Sequence, residues 1–359
     1  MELANKMKNA FAKKDHEKEP KVKGVQSNGP ETDKAEKPKG SLFERLFSVP
    51  LLKQSIKSNL SLWLILSIGT ALIFIIVNIA VGSKKVFSTI DMNLVSQYVA
   101  DEKMQWLQIL GLLDTMGFKL ARIQVMSQLD LNAIMSDLVY KIAGVLLPMI
   151  YVIIAGNKLI ASQVNDGSMA YVLSTPTARK KVVRTQWFFL ATSLVGMYII
   201  ITIGAFVSGI IGNTITGAMP TSTYTLRTVL FCLSSFCAIF CLMGVCFCAS
   251  SVFNKSNMSI AIGGGACVLA FIFCVLGLFA NEAFVAVGVG VSEMNFFNFL
   301  TVFSLIDTDS LSNFCKAATK FKNVQISYDW IWKDCIAFLL GTGLSIFGSV
   351  WFCKKDLPL

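Results

Sequence analysis

The chain has 359 residues, of which 54% are hydrophobic and 15% charged, with mean hydropathy +0.62 and a formal net charge of +10. Soluble domains carry about 25% charged residues, so this composition excludes an ordinary soluble enzyme. The basic residues are spread over a polar tail and the ends of apolar runs, which speaks against a nucleic-acid partner.

In chain order, residues 1–40 hold ten Lys and seven acidic residues with no apolar periodicity, and read as a disordered cytoplasmic tail. They lack the apolar core of a cleavable signal peptide. The next stretch, "SLFERLFSVPLLKQSIKSN", puts Leu42, Phe43, Leu46 and Phe47 on one face opposite Glu44 and Arg45. It predicts an amphipathic interfacial helix over 41–59.

Crossing about 30 Å of hydrocarbon takes about 20 helical residues, and in lipid every backbone polar group needs an internal partner. The apolar runs at 60–82, 138–160, 186–211, 228–253, 258–280 and 334–353 therefore predict six transmembrane helices. The fold class is an all-α polytopic membrane protein, with residues 60–359 as its six-span domain. Two large segments fall on the outer side. Residues 83–137 suit a pair of amphipathic surface helices, and 281–333 a re-entrant or interfacial hairpin before the last span.

With both termini inside, the inner segments hold 21 of the 32 basic residues and 10 of the 22 acidic ones. The outer segments are then close to neutral, as the positive-inside rule requires. The expected setting is the plasma membrane.

Several chemistries are missing. No GxxxxGK[ST] phosphate loop occurs, and the single His16 lies in the tail, so His-based triads and metal clusters are excluded. No metal or catalytic residue is expected. No pair of acids sits in mid-span for a proton relay. Lys333 and Asp334 fall at an outer boundary as neighbouring opposite charges. Most of the ten Cys lie in apolar runs, where Cys acts as a small hydrophobe; Cys315 and Cys335 remain an open pair. The glycines at 263–265 and at 341, 343 and 348 allow close helix packing, within one bundle or at a dimer seam.

One polar interruption stands out: the cytoplasmic loop 161–185, with "VNDGSMAYVLSTPTARKKVVRTQ" at 164–186. Asn165, Asp166 and Gly167 predict a turn or a helix start, and "SMAYVLST" about two helical turns. Met169, Val172 and Leu173 share one apolar side, flanked by Tyr171. Pro176 ends this helix, and Thr177 is placed to cap the next. Arg179, Lys180, Lys181 and Arg184 then anchor the third span on the cytoplasmic side. A tidy loop with basic anchors is one reading; a docking element for a cytoplasmic partner is the other.

This loop and the ending "FGSVWFCKKDLPL" resemble the membrane subunits (permeases) of type-2 ATP-binding-cassette (ABC) exporters. There the core of the loop runs roughly Glu-Val-Asp-Arg-Gly-Thr-Met-Ala-Tyr-Leu-Leu-Ser-Thr-Pro. Gly167, Met169, Ala170, Tyr171, Leu173, Ser174, Thr175 and Pro176 match it residue for residue. Gln163 stands where the family often has Glu, and Asn165-Asp166 replaces an acidic-basic pair.

The resemblance implies that residues 165–175 form a coupling helix seated on a separate cytoplasmic ABC ATPase. ATP and Mg would bind that partner, leaving this chain without a cofactor and without enzymatic activity of its own. Six spans would require a second permease copy, identical or related, within the lipid bilayer. A non-transporting scaffold, sensor or self-protection component would share the docking helix. An ion-coupled secondary carrier is disfavoured by the lack of a buried acid.

Overall fold

A computed structural model describes residues 46–82, 131–175, 177–216, 221–280, 291–319 and 326–355. The tail at 1–40, residues 41–45 of the expected interfacial helix, 83–130 of the first outer segment, and Pro176 lie outside the described residues.

Among the described residues all regular structure is helical, and six stretches are long and apolar enough to cross a membrane. These are Val49–Ile76, Gly144–Asn165, Arg179–Ser208, Thr225–Val252, Ser256–Gly277 and Asp329–Lys354. We refer to them as spans one to six. The helices that carry them overrun the apolar runs at several ends, because lipid limits only the apolar part and nothing in the flanks breaks the helix.

The first helix, α1 (Val49–Gly82), shows this most clearly. Residues 49–59 are not a separate interfacial helix; they continue directly into span one. Pro50 suits the first turn of a helix, and no Gly or Pro follows before Gly69, so no break is available. At 34 residues and 1.5 Å per residue, α1 is about 51 Å long, well beyond the hydrocarbon thickness. Its start leans on span three: Ser48 N–H donates to Thr185 Oγ1 (2.9 Å) and Phe47 packs on Phe188 (4.6 Å between centroids).

Span two begins in α2 (Leu131–Leu159) and breaks at Ile160 before α3 (Ala161–Asn165). The break frees the Ala161 N–H, which Ser250 Oγ of span four accepts at 3.0 Å. A short helix, α4 (Ser168–Ser174), and α5 (Arg179–Thr216) follow, then α6 (Thr221–Val252). Span five comprises α7 (Ser256–Ser259), a π-helical turn at Ile260–Gly264, and α8 (Gly265–Leu278).

Spans two and four form the buried centre, with α1, α5, span five and the last helix α11 (Asp329–Lys354) around them. Small residues set the closest approaches. A Cβ on Gly244 would lie 2.4 Å from the Gly341 carbonyl oxygen, and one on Gly348 2.9 Å from Cys248 Cα. Gly341 and Gly348 thus form a seam with span four inside one chain. Gly263 and Gly264 likewise meet Ala249 and Ile153, while Gly265 and Gly343 face open space. Such contacts suit lipid, where packing drives association in place of hydrophobicity.

At the end opposite residues 161–185, Ser292–Asn295, α9 (Phe296–Phe299), Val302–Leu305 and α10 (Thr308–Ala318) form a run of short helices. They are broken by residues that bond back to span five. Asn298 Nδ2 donates to the Gly277 carbonyl (3.4 Å), and Thr301 Oγ1 to that of Ala270 (2.7 Å). Ala270 lies seven residues before Gly277, about 10 Å along the helix, so the run dips alongside span five.

Two expectations change here. Lys333 pairs with Asp307 rather than with its neighbour Asp334. Adjacent residues on a helix point in different directions, and Asp334 turns inward, where its Oδ1 accepts from Ser234 Oγ at 2.7 Å. Asp334 is buried and its Oδ2 has no partner. A buried acid is therefore present, and its supposed absence no longer counts against a carrier. Cys315 and Cys335 are both free thiols, the first buried and the second exposed. Burial pushes the Cys315 thiol up to about 11, with Arg227 pulling the other way.

Candidate functional site: the loop between spans two and three

The polar loop is a compact reversal. Asp166 N–H donates to the Ser162 carbonyl (2.9 Å) and closes α3; Gly167 then turns the chain with φ +70°. That left-handed conformation disfavours any residue with a Cβ. α4 starts at once, with Ala170 N–H bonded to the Gly167 carbonyl (3.0 Å). At its far end Thr175 Oγ1 bonds back to the Val172 carbonyl (2.6 Å).

The two faces of α4 differ sharply. Met169 is 1% exposed and joins the hydrophobic core, with Val172 and Leu173 partly buried against it. The apolar side expected to meet a partner is instead packed into this chain's own bundle. The reason is local: Gly167 folds α4 back beside α3, and the apolar stripe is the only face that can be buried there. Tyr171, by contrast, is 80% exposed. Asn165, Asp166, Gly167, Ser168, Ser174 and Thr175 are exposed with it.

The basic residues also divide. Arg179 Nη1 donates to the Lys355 carbonyl (3.1 Å), tying the start of α5 to the end of α11. Lys355 Nζ in turn donates to the carbonyls of Val252 (2.6 Å) and Ser251 (3.3 Å). It therefore caps the C-terminus of α6 as a cation should, although burial lowers its pKa. Lys180 and Arg184 are exposed, and Lys181 is half-buried. Thr177 is not the cap of α5: Ala178 supplies the carbonyl that Lys181 N–H bonds (2.8 Å), and Thr177 Oγ1 sits 3.0 Å from Thr175 Oγ1.

The flanking helices meet through a polar contact that sequence reading missed. Ser55 Oγ donates to Gln186 Oε1 (2.9 Å) in the buried seam between α1 and α5. Beside it, residues 54–59 of α1 and 158–168 border a polar cleft of about 200 Å³. The run of Gln, Ser and Asn just before an apolar stretch is a weak signal for such a seam. Among the described residues no cluster of metal-ligating side chains is present.

The site is therefore an exposed turn and a tyrosine carried on two long helices. The sequence model of the family described as ABC-2 family transporter protein matches residues 52–357. This chain belongs to the ABC-2 transporter family. It is a multi-pass membrane protein and a permease component of an ABC transporter, in a family of membrane subunits that work with an ABC ATPase component. Neither a search of curated proteins nor one of solved structures returned a match. The matched region of the permease takes in span one from residue 52 onward, the other five spans and the loop.

Proposed function

We propose that this permease is the membrane subunit of an ATP-driven exporter, and that α4 with the turn before it is its coupling helix. The observation that carries the proposal is the two-sided character of α4. Its inner face is fixed to the bundle by Met169, and its outer face presents Tyr171 from a rigid reversal. A partner that gripped Tyr171, Ser168 and the Asn165–Gly167 turn could push α3 and α5 as one body. An ATPase binding ATP and Mg would supply that push, and two permease chains, identical or related, would rock against each other across the plasma membrane. Both termini and the loop would face the cytoplasm. Pro176 would help to end α4.

Because the outer face lacks an acidic-basic pair beside Gly167, docking would rest on the tyrosine and neutral polar contacts more than on salt bridges. The test is co-purification of the tagged chain from its host in mild detergent. A stoichiometric ATPase should elute with it and be lost from a Tyr171→Asp, Ser168→Asp double variant of unchanged thermal stability. A well-folded double variant that retains its ATPase removes α4 from the coupling role. A scaffold or sensor would share this surface, and ATP-dependent transport in reconstituted vesicles separates it from an exporter.

A further inference from the structure

The cleft of about 200 Å³ beside the loop is lined by ten residues, among them Ser58, Asn59, Lys158, Gln163, Asp166 and Ser168. Nine of these ten are polar, an unusual surface for a helix bundle of this composition. Asn59 is 1% exposed; its Nδ2 donates to the Ser55 carbonyl (2.9 Å), but its Oδ1 has no donor. The buried Oε1 of Gln163 has none either. Unmatched buried acceptors are costly, and the residues that carry both of these border the cleft. The border carries one charge of each sign. Lys158 Nζ reaches across from span two to the Ser58 carbonyl (2.8 Å), and Asp166 accepts from Ser162 Oγ (3.1 Å).

Position narrows the ligand further. The cleft lies at the N-terminal end of span one, where the sequence carries Lys53 and Lys57, and Lys158 lines it; basic residues at a span end mark the level of the head groups. Gln54 and Ser58 start a helical stripe that continues through Ser61, Ile65, Ile68, Leu72 and Ile76, all exposed, with Ile65 at 67%. A polar cleft thus opens onto an apolar track on one face of α1.

We propose that this cleft holds the phosphoethanolamine head group of a membrane lipid, whose acyl chains lie along that track. The primary ammonium donates to Asn59 Oδ1 and Gln163 Oε1 and faces Asp166. The phosphate accepts from Lys158 and neighbouring serine hydroxyls. A choline head group offers the same phosphate but no N–H donor, so it leaves both acceptors unmatched. The cleft is smaller than the pockets that take drug-sized molecules, and of a size for a head group. Asp166 belongs to the turn before α4 and Ser168 opens the helix, so a bound head group braces that turn. The binding itself does not depend on the coupling reading.

The test titrates the full chain in mild detergent with dihexanoyl phosphatidylethanolamine, dihexanoyl phosphatidylcholine and free phosphoethanolamine, read by native mass spectrometry. One ethanolamine lipid per chain should bind, about tenfold tighter than the choline lipid, the factor expected for a buried hydrogen bond to a charged donor. Free phosphoethanolamine should bind more weakly than the lipid. Asn59→Leu and Gln163→Leu should each reduce the preference for ethanolamine and leave choline binding unchanged, which a merely structural role would not do. If Asn59→Leu fails to fold, Gln163→Leu, at a half-buried position, decides. Equal binding of the two lipids, or a preference intact in folded Gln163→Leu, overturns the proposal. So does free head group binding as tightly as lipid, or a cleft that takes up none of the three.

Discussion

Both ends of the bundle carry a short helix laid against the spans, α4 at one and α10 at the other, and the two are fastened differently. α4 is seven residues long and is held by the buried Met169, the partly buried Val172 and Leu173 and backbone bonds, with its outward face free of charge pairs. α10 is eleven residues long; it buries Leu311 and Cys315 in the core, and polar groups lock it further. Asp307 caps its start by accepting from Ser310 N–H (3.0 Å) and pairs with Lys333 of span six; Ser327 Oγ bonds Ser310 Oγ (3.4 Å). Apolar fastening leaves the outer face of α4 open to be gripped. Polar fastening ties α10 to its neighbours and makes that end sensitive to pH.

The sharpest way to break this contrast is Met169→Asp. It removes a buried large side chain and puts a charge in its place, which should cost about 3–5 kcal/mol. The thermal midpoint in detergent should fall steeply and α4 should become open to protease, while the α10 end keeps its protection. An unchanged midpoint would mean that Met169 is not buried.

Asp307→Asn comes next. It removes the ion pair with Lys333 and leaves an amide oxygen that can still cap α10, so the expected loss is about 1 kcal/mol. The wild type should show the same weakness in acid. Burial alone would raise the Asp307 pKa, but bonds from Lys333 and Ser310 outweigh it and hold the carboxyl below its ordinary value. Its contribution to stability is thus fully present above about pH 4, the unfolded value, and is lost as pH falls through the lower folded value. Hydrogen exchange between pH 6 and 3 should show α10 loosening before α4. Equal loosening of the two helices would remove the contrast.

The smallest effect is expected at Tyr171. With its side chain exposed, Tyr171→Ala should change stability by no more than about 0.5 kcal/mol. A larger loss in thermal unfolding would mean that this face also packs within the chain.

Much of this architecture is legible in the sequence. Six long apolar runs in a chain this poor in charge allow only helices, because lipid offers no partner for an open backbone. The loop between spans two and three also stands out, since Asn165-Asp166-Gly167 is turn chemistry between two apolar runs. The side of α4 facing inward is not legible. Met169, Val172 and Leu173 form an apolar stripe on either reading, and periodicity identifies a face without saying what covers it.

The sequence by itself determined the number of spans, the helical class and the position of the polar reversal, because bilayer thickness and backbone hydrogen bonding act on local runs of residues. Only the tertiary structure decided that Met169 points into the bundle, that Lys333 takes Asp307 over Asp334, and that Gly341 closes on Gly244 within one chain. It also decided that Asn59 and Gln163 border one cleft. Each of these joins separate helices, or follows from which side of a helix its neighbours cover. That is a property of packing, which no local pattern encodes.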